Sequence, residues 1–163
     1  MQNIINRIPK NEKYEIIIPC AVSKDNTVSV AKNISEQEKY FTIKTFTQTG
    51  KGKANAVWEA MEKIDSEVVA ILDADISVDP ETIPDFFEII DKNNADFVNG
   101  TRLIYEMERG SMRYLNHLGN RVFQYFVGKI ISQPLTDSLC GTKVFKRDLY
   151  KKIILWQDSS NAL

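Results

Sequence analysis

The sequence predicts an α/β protein with a mostly parallel, doubly wound sheet flanked by helices. Strand-like and helix-like segments alternate along the chain, and helices of about 10 to 15 residues between strands are typical of parallel crossover units. The run "VVAIL" is apolar throughout, as expected of a strand buried on both faces of such a sheet. With 163 residues, the chain is expected to form one domain over 1–163.

The first half of the chain predicts two strands, each followed by a helix. Residues 14–22 are rich in β-branched side chains and predict a strand, and the segment after them has apolar residues at helical spacing. Residues 41–46 alternate like a strand, and a helix that starts on glycines follows.

Two more strands are predicted in the next part of the chain. The segment "EVVAILD" is the third strand, and Asp79 and Pro80 then form a helix start with a cap and a first-turn proline. The segment "DFVNGT" predicts the fourth strand.

Composition and charge exclude several classes of partner. The chain has 21 basic and 22 acidic side chains and a formal net charge of −1, so nothing favours nucleic acid as a partner. Cys20 and Cys140 lie far apart and lack metal-ligand spacing, which predicts buried thiols in a reducing, cytoplasmic protein. No apolar run approaches the roughly 18 residues of a membrane span.

Two acids follow the third strand where a turn needs only one. Asp73 and Asp75 lie at the carboxyl end of "VVAILD", and ligands of open α/β sheets bind beyond such strand ends. Because a carboxylate pair is costly to bury without neutralisation, the pair predicts a site for Mg²⁺ or Mn²⁺, which prefer oxygen ligands. The alternative is an ordinary turn followed by a helix cap.

The glycine-containing segment "TGKGKANAV" is a second candidate site. Its glycines would let a ligand approach the backbone, and Lys51 and Lys53, on either side of Gly52, would offset phosphate charge at a helix start. The spacing matches neither a P-loop nor the dinucleotide fingerprint, which disfavours ATP hydrolysis and a Rossmann-type dehydrogenase or regulator. The alternative is a solvated helix entry.

Four segments together carry a family resemblance. In order and spacing, "GKGKANAV", "VVAILDADISVDPETIPDF", "ADFVNGTRL" and "PLTDSLCGTKVFKRDLYKKI" resemble the family 2 glycosyltransferases of GT-A fold, especially the branch that makes polyprenyl-phosphate sugars. The resemblance covers residues 14–153. It implies an inverting, cation-dependent transfer from a nucleoside-diphosphate sugar to an acceptor such as a polyprenyl phosphate.

The resemblance also implies roles for individual residues. Asp73 and Asp75 would hold the cation on the diphosphate, and Arg102 would contact phosphate groups, as would Arg113. The segment "DSLCG", which contains Asp137, Ser138 and Gly141, matches the family's loop beside the acceptor site. Arg102 could instead form a surface ion pair.

Two departures from the family pattern lead to further expectations. The chain resembles the family only from the helix after its first strand, so that strand is expected to be missing and the domain to be partial, shortened at both ends. Residues 14–22 and 68–73 would then either keep unpaired edges or pair directly. Cys20 and Ala21 replace an acidic pair that helps bind the nucleotide base, so a catalytically inactive remnant that acts as a binding module is the main alternative function.

Residues 110–133 predict a helix with an apolar stripe and flanking arginines, Arg113 among them. Such a helix could lie on the cytoplasmic membrane surface beside a lipid acceptor. The alternative is ordinary packing against a sheet.

Overall fold

The fold is described from a computed structural model that covers 1–22, 25–92, 95–101, 125–126, 128–129, 137 and 140–161. The chain divides into two compact units, Met1–Ser66 and Glu67–Leu163. It has the α/β fold class predicted from the sequence, and the four predicted strands are all present.

The first unit contains two parallel strands and three helices. Its elements are α1 (Gln2–Arg7), β1 (Glu15–Cys20), α2 (Thr27–Gln37), β2 (Thr42–Thr47) and α3 (Gly52–Met61). β1 and β2 pair in parallel from Glu15 opposite Thr42 to Cys20 opposite Thr47, as two strands joined by a crossover helix should. Of the apolar residues at helical spacing in α2, Ala31 and Ile34 are buried and Val28 is half-buried.

The second unit is built around a three-stranded sheet. Its elements are β3 (Val68–Ile71), a 3₁₀ turn (Pro80–Thr82), α4 (Ile83–Lys92), β4 (Phe97–Asn99), β5 (Lys143–Lys146) and α5 (Arg147–Asn161). The strand order is β3-β5-β4, with β5 antiparallel to both neighbours. β3 and β4 therefore run in the same direction, as predicted, but β5, which the sequence analysis did not identify as a strand, lies between them.

The described strands form two separate sheets, and β1 and β3 each lie at an edge of their own sheet.

Among the described strands of the second unit, β5 has the most buried residues, Val144 and Phe145. Val144 is fully buried, and it stands opposite Ala70 of β3 and Val98 of β4. Phe145, one position on, stacks on Phe97 with ring centroids 6.4 Å apart. Both cysteines are free and buried, as predicted.

Candidate active site

Three strand termini lie side by side at one end of the second unit's sheet, and we call this end the sheet edge. Ile71, Lys143 and Asn99 stand opposite one another as the last residue of β3, the first of β5 and the last of β4. Because β5 is antiparallel to its neighbours, the segment that enters it lies at the edge where β3 and β4 end. The acids after β3, the glycine after β4 and the loop before β5 are therefore neighbours.

Asp73 lies against the loop that enters β5. A Cβ placed on Gly141 would be 1.5 Å from Oδ2 of Asp73 and 2.2 Å from its Cγ, far closer than atoms can approach. The carboxylate thus occupies the space that any side chain at position 141 would need. The sequence predicted both residues as site residues, and the structure brings them into contact.

Asp75 lies in a tight turn beyond Asp73. Its side chain is exposed, and Oδ1 accepts hydrogen bonds from the Ser77 N–H at 3.0 Å and from the Ser77 hydroxyl. Ile76 has φ +58°, which is unfavourable for a β-branched residue, and strained backbone of this kind costs about 1–3 kcal/mol. The turn therefore holds the second acid in a defined but solvent-facing place.

The described residues of the loop before β5, which are Asp137 and 140–142, are packed tightly onto the end of β4. Asp137, Cys140 and Thr142 are each no more than 1% exposed, and the Gly100 N–H donates to the Thr142 carbonyl at 2.9 Å. A Cβ on Gly100 would lie 3.1 Å from the Cys140 sulfur. A second glycine therefore allows close approach, here between the loop and β4.

Asn99 and Lys143 connect this loop to the strand ends, and neither was predicted as a site residue. Nδ2 of Asn99 donates to the Asp137 carbonyl at 2.6 Å and to the Gly100 carbonyl at 2.8 Å. Nζ of Lys143 donates to Oδ1 of Asn99 at 2.8 Å and to the Cys140 carbonyl at 2.7 Å. The only sequence signal for them was the position of Asn99 within "DFVNGT" and of Lys143 just after "DSLCG".

The predicted residues Lys51, Gly52 and Lys53 belong to the first unit, where they are exposed at the start of α3. Gly52 has φ +85°, a conformation that glycine adopts without strain.

The backbone donors just before these residues already have partners within the first unit. The Thr49 N–H and hydroxyl donate to Glu59 at 2.8 and 2.7 Å, and the Gly50 N–H donates to Asn55 Oδ1 at 3.1 Å. The Thr49 hydroxyl is the main cause that lowers the pKa of Glu59. The loop is thus organised by side chains of its own helix.

The remaining predicted site residues, Arg102, Arg113 and Ser138, lie outside the described residues, as does most of the predicted helix over 110–133. Within the part of the chain that is described, no group of three or more His, Cys, Asp or Glu side chains is arranged to hold a metal ion. The described helices include none that is long and apolar enough to cross a membrane.

The second unit thus places an acidic strand end against a glycine-containing loop, and comparison with known proteins identifies the family. The profile described as "Glycosyl transferase family 2" matches residues 1–154. This chain belongs to glycosyl transferase family 2, and it has the GT-A type of α/β fold that this family implies.

Several curated proteins are similar to parts of the chain. A hexosyltransferase of low-salt glycan biosynthesis, Agl6 of Haloferax volcanii, is 32% identical over 103 residues, which cover 63% of this chain and 25% of that protein. A dolichol-phosphate mannosyltransferase of Pyrococcus furiosus is 32% identical over 92 residues, covering 56% and 25%. A dodecaprenyl-phosphate galacturonate synthase of Rhizobium johnstonii is 22% identical over 143 residues, covering 88% and 41%. The chain spans less than half the length of these relatives.

Proposed function

We propose that this chain is the nucleotide-sugar-binding part of an inverting glycosyltransferase that uses a polyprenyl phosphate as acceptor. The observation that carries the proposal is the placement of Asp73, which Gly141 allows to lie at the shared edge of β3, β4 and β5. Family membership supports sugar transfer, and the names of two relatives, a dolichol-phosphate mannosyltransferase and a dodecaprenyl-phosphate galacturonate synthase, support the acceptor class.

The residues at this edge fit a hard divalent cation. Asp73 and Asp75 provide carboxylate oxygens, which Mg²⁺ and Mn²⁺ prefer, and the exposure of Asp75 leaves room for diphosphate oxygens and water to complete the coordination. In this proposal Asp73 and Asp75 hold the cation, which would neutralise the charge that develops on the leaving diphosphate.

The transfer itself exchanges one bond at the anomeric carbon for another. An oxygen of the acceptor attacks this carbon from the face opposite the diphosphate, and the carbon–oxygen bond to the diphosphate breaks with its electron pair on the leaving group. A phosphate acceptor is already anionic and needs no base, whereas a sugar hydroxyl would need a carboxylate to take its proton. This favours a lipid phosphate, because the described part of the site then needs only to bind and orient.

Further residues are proposed for the second unit. Arg102 and Arg113 would contact the phosphates of donor and acceptor, and Ser138 would border the acceptor, whereas Asp137, which is fully buried, would hold its loop rather than touch the acceptor. Lys51, Gly52 and Lys53 belong to the first unit, and a phosphate contact at the start of α3 is a separate proposal for them. Tyr125 and Phe126 are helical and 66% and 60% exposed, and exposed aromatic side chains suit the boundary between water and lipid. The chain would thus act at the cytoplasmic face of a membrane.

Titration calorimetry tests the donor side of the proposal. Mn²⁺ with UDP or GDP is expected to bind to the wild-type chain more tightly than either component alone, and Asp75→Ala is expected to weaken binding at least tenfold. Asp85→Asn, which removes an exposed acid from α4, is the matched control and should bind like wild type. Equal binding by Asp75→Ala would contradict the metal role.

Turnover distinguishes the two functions that the sequence left open. Transfer from a nucleotide sugar to a short polyprenyl phosphate, or slow hydrolysis of the donor, would support the enzyme. Nucleotide binding without either reaction would support the inactive binding module instead.

A further inference from the structure

Lys143 holds together two segments that the sequence separates widely. It begins β5 and stands opposite Ile71 of β3 and Asn99 of β4. Its ammonium group donates to a side-chain oxygen on β4 and to the Cys140 carbonyl in the loop before β5. Because the donor is charged, these hydrogen bonds are stronger than those between neutral groups.

Asn99 completes the connection from the other side. Its amide nitrogen donates to the carbonyl of Asp137, at the far end of the same loop, while its oxygen accepts from Lys143. The pair therefore fastens the loop at two points, Asp137 and Cys140, and both bonds are shorter than the usual 2.9–3.0 Å for nitrogen donors, at 2.6 and 2.7 Å.

Gly141 lies between Cys140 and the start of β5, and the carboxylate of Asp73 occupies the space beside its Cα. We propose that Asn99 and Lys143 are positioning residues, which hold Asp137 and Cys140 of the loop before β5 so that Gly141 orients Asp73 for binding a metal–nucleotide complex. The inference rests on the proposed function for its ligand, but the positioning itself is a property of the free protein. Asn99 and Lys143 would thus affect binding through the loop, without touching the reacting atoms themselves.

Lys146 provides a matched control for Lys143. Both are lysines of β5, but Lys146 forms an ion pair with Asp96 at 3.0 Å with its side chain 38% exposed, at the end of the strand remote from the loop. Lys143→Met and Lys146→Met therefore remove the same charge from the same strand with different expected consequences.

Residue-resolved amide hydrogen exchange on the free protein tests the positioning. Lys143→Met is expected to increase exchange at least tenfold at Gly100, which bonds to Thr142, and at Cys140, which bonds to Asp137. Exchange at Lys146 and Arg147, which bond to Asp96 and Glu67 at the other end of β5, should stay within twofold. Equal acceleration at both ends would show general destabilisation of the strand and overturn the proposal.

Asn99→Asp separates the two halves of the connection. The variant keeps an acceptor for Lys143 but places an oxygen against the Asp137 carbonyl, so the Cys140 amide is expected to exchange faster although the lysine is intact. Unchanged exchange in this variant would overturn the role of Asn99.

Binding of Mn²⁺ with UDP or GDP then links position to function. Lys143→Met is expected to bind at least tenfold more weakly than wild type, and Lys146→Met within twofold of it. If loop exchange rises in Lys143→Met while binding is unchanged, the proposed control of Asp73 is wrong. If the wild type itself binds no nucleotide, the proposed function fails, and the exchange measurements still decide whether the two residues hold the loop.

Discussion

Gly141 lets the carboxylate of Asp73 reach its place at the sheet edge. The requirement is steric, because the nearest carboxylate oxygen would lie 1.5 Å from an added Cβ. The glycine of "DSLCG" therefore acts through the acid and need not touch a ligand. This gives a predicted site residue a physical role that its sequence position did not reveal.

The contact predicts strong coupling between the two positions. Gly141→Ala is expected to lower the free energy of unfolding by about 1–3 kcal/mol, the usual cost of overpacking, and to reduce binding of Mn²⁺ with a nucleotide. In the double variant Asp73→Ala, Gly141→Ala the clash is relieved, so stability should recover although binding does not. Urea unfolding of the wild type, Asp73→Ala, Gly141→Ala and the double variant gives the coupling energy between the two positions. Strictly additive changes in the free energy of unfolding would contradict the contact.

Glu59 predicts a pH effect in the first unit. Its pKa is lowered chiefly by the Thr49 hydroxyl and also by the N–H groups of Thr49 and Gly50. A lowered folded-state pKa means that the contact stabilises the fold above the ordinary glutamate value, about 4.3, and that this stabilisation is lost as the pH falls through the folded-state value. Below pH 5, Glu59→Gln should therefore show less acid sensitivity than wild type in urea unfolding.

The control for this prediction is Glu62→Gln, which removes an exposed carboxylate beside the end of the same helix. It should retain the acid sensitivity of the wild type. Direct NMR titration of the Glu59 carboxyl carbon is an independent check, and a midpoint at or above the ordinary value would refute the contact in solution.

At the scale of elements, β5 joins the other two described strands of the second unit into one sheet. It pairs with both β3 and β4, and its Val144 is fully buried. The candidate site depends on the same strand, because the loop that meets Asp73 leads directly into it. Packing and site geometry are therefore built from one element.

Val144→Ala is expected to destabilise the protein by roughly 2–3 kcal/mol, from lost apolar burial and the cavity left behind. Val30→Ala, at a position 46% exposed on α2, should change stability by less than about 0.5 kcal/mol. Urea denaturation compares the two, and a small effect at Val144 would contradict its central position.

The sequence predicted β1 to β4 because each is a run of β-branched or apolar residues bounded by polar ones. It did not predict β5, in which only Val144 and Phe145 lie between two lysines, and no local pattern reveals partners that precede it by about 45 and 75 residues. Asp73 was predictable from its strand end. The hydrogen bonds of Asn99 and Lys143 were not, because they depend on which strand lies between β3 and β4.

At the scale of the molecule, two sheets with open edges have consequences for association. Among the described strands, β1 and β3 each pair on one side, and exposed strand edges can recruit other chains. A single family profile, which matches residues 1–154, covers almost all of both units.

The chain is therefore expected to self-associate as its concentration rises. Sedimentation velocity and light scattering over a hundredfold range of concentration should show an average mass that increases with concentration. Amide hydrogen exchange on β1 or β3 should become slower over the same range. A mass equal to one chain at every concentration would refute the expectation.

The position of β5 in the sheet also affects the order of events during synthesis. β5 is the middle strand of its sheet but the last of the three to leave the ribosome, about 75 residues after β3. At synthesis rates of roughly 5–20 residues per second, β3 waits about 4 to 15 s for its partner in this sheet. During that interval the acids after β3 have no glycine loop to rest against, so a ribosome-bound chain that ends before β5 carries the acidic motif but not the site.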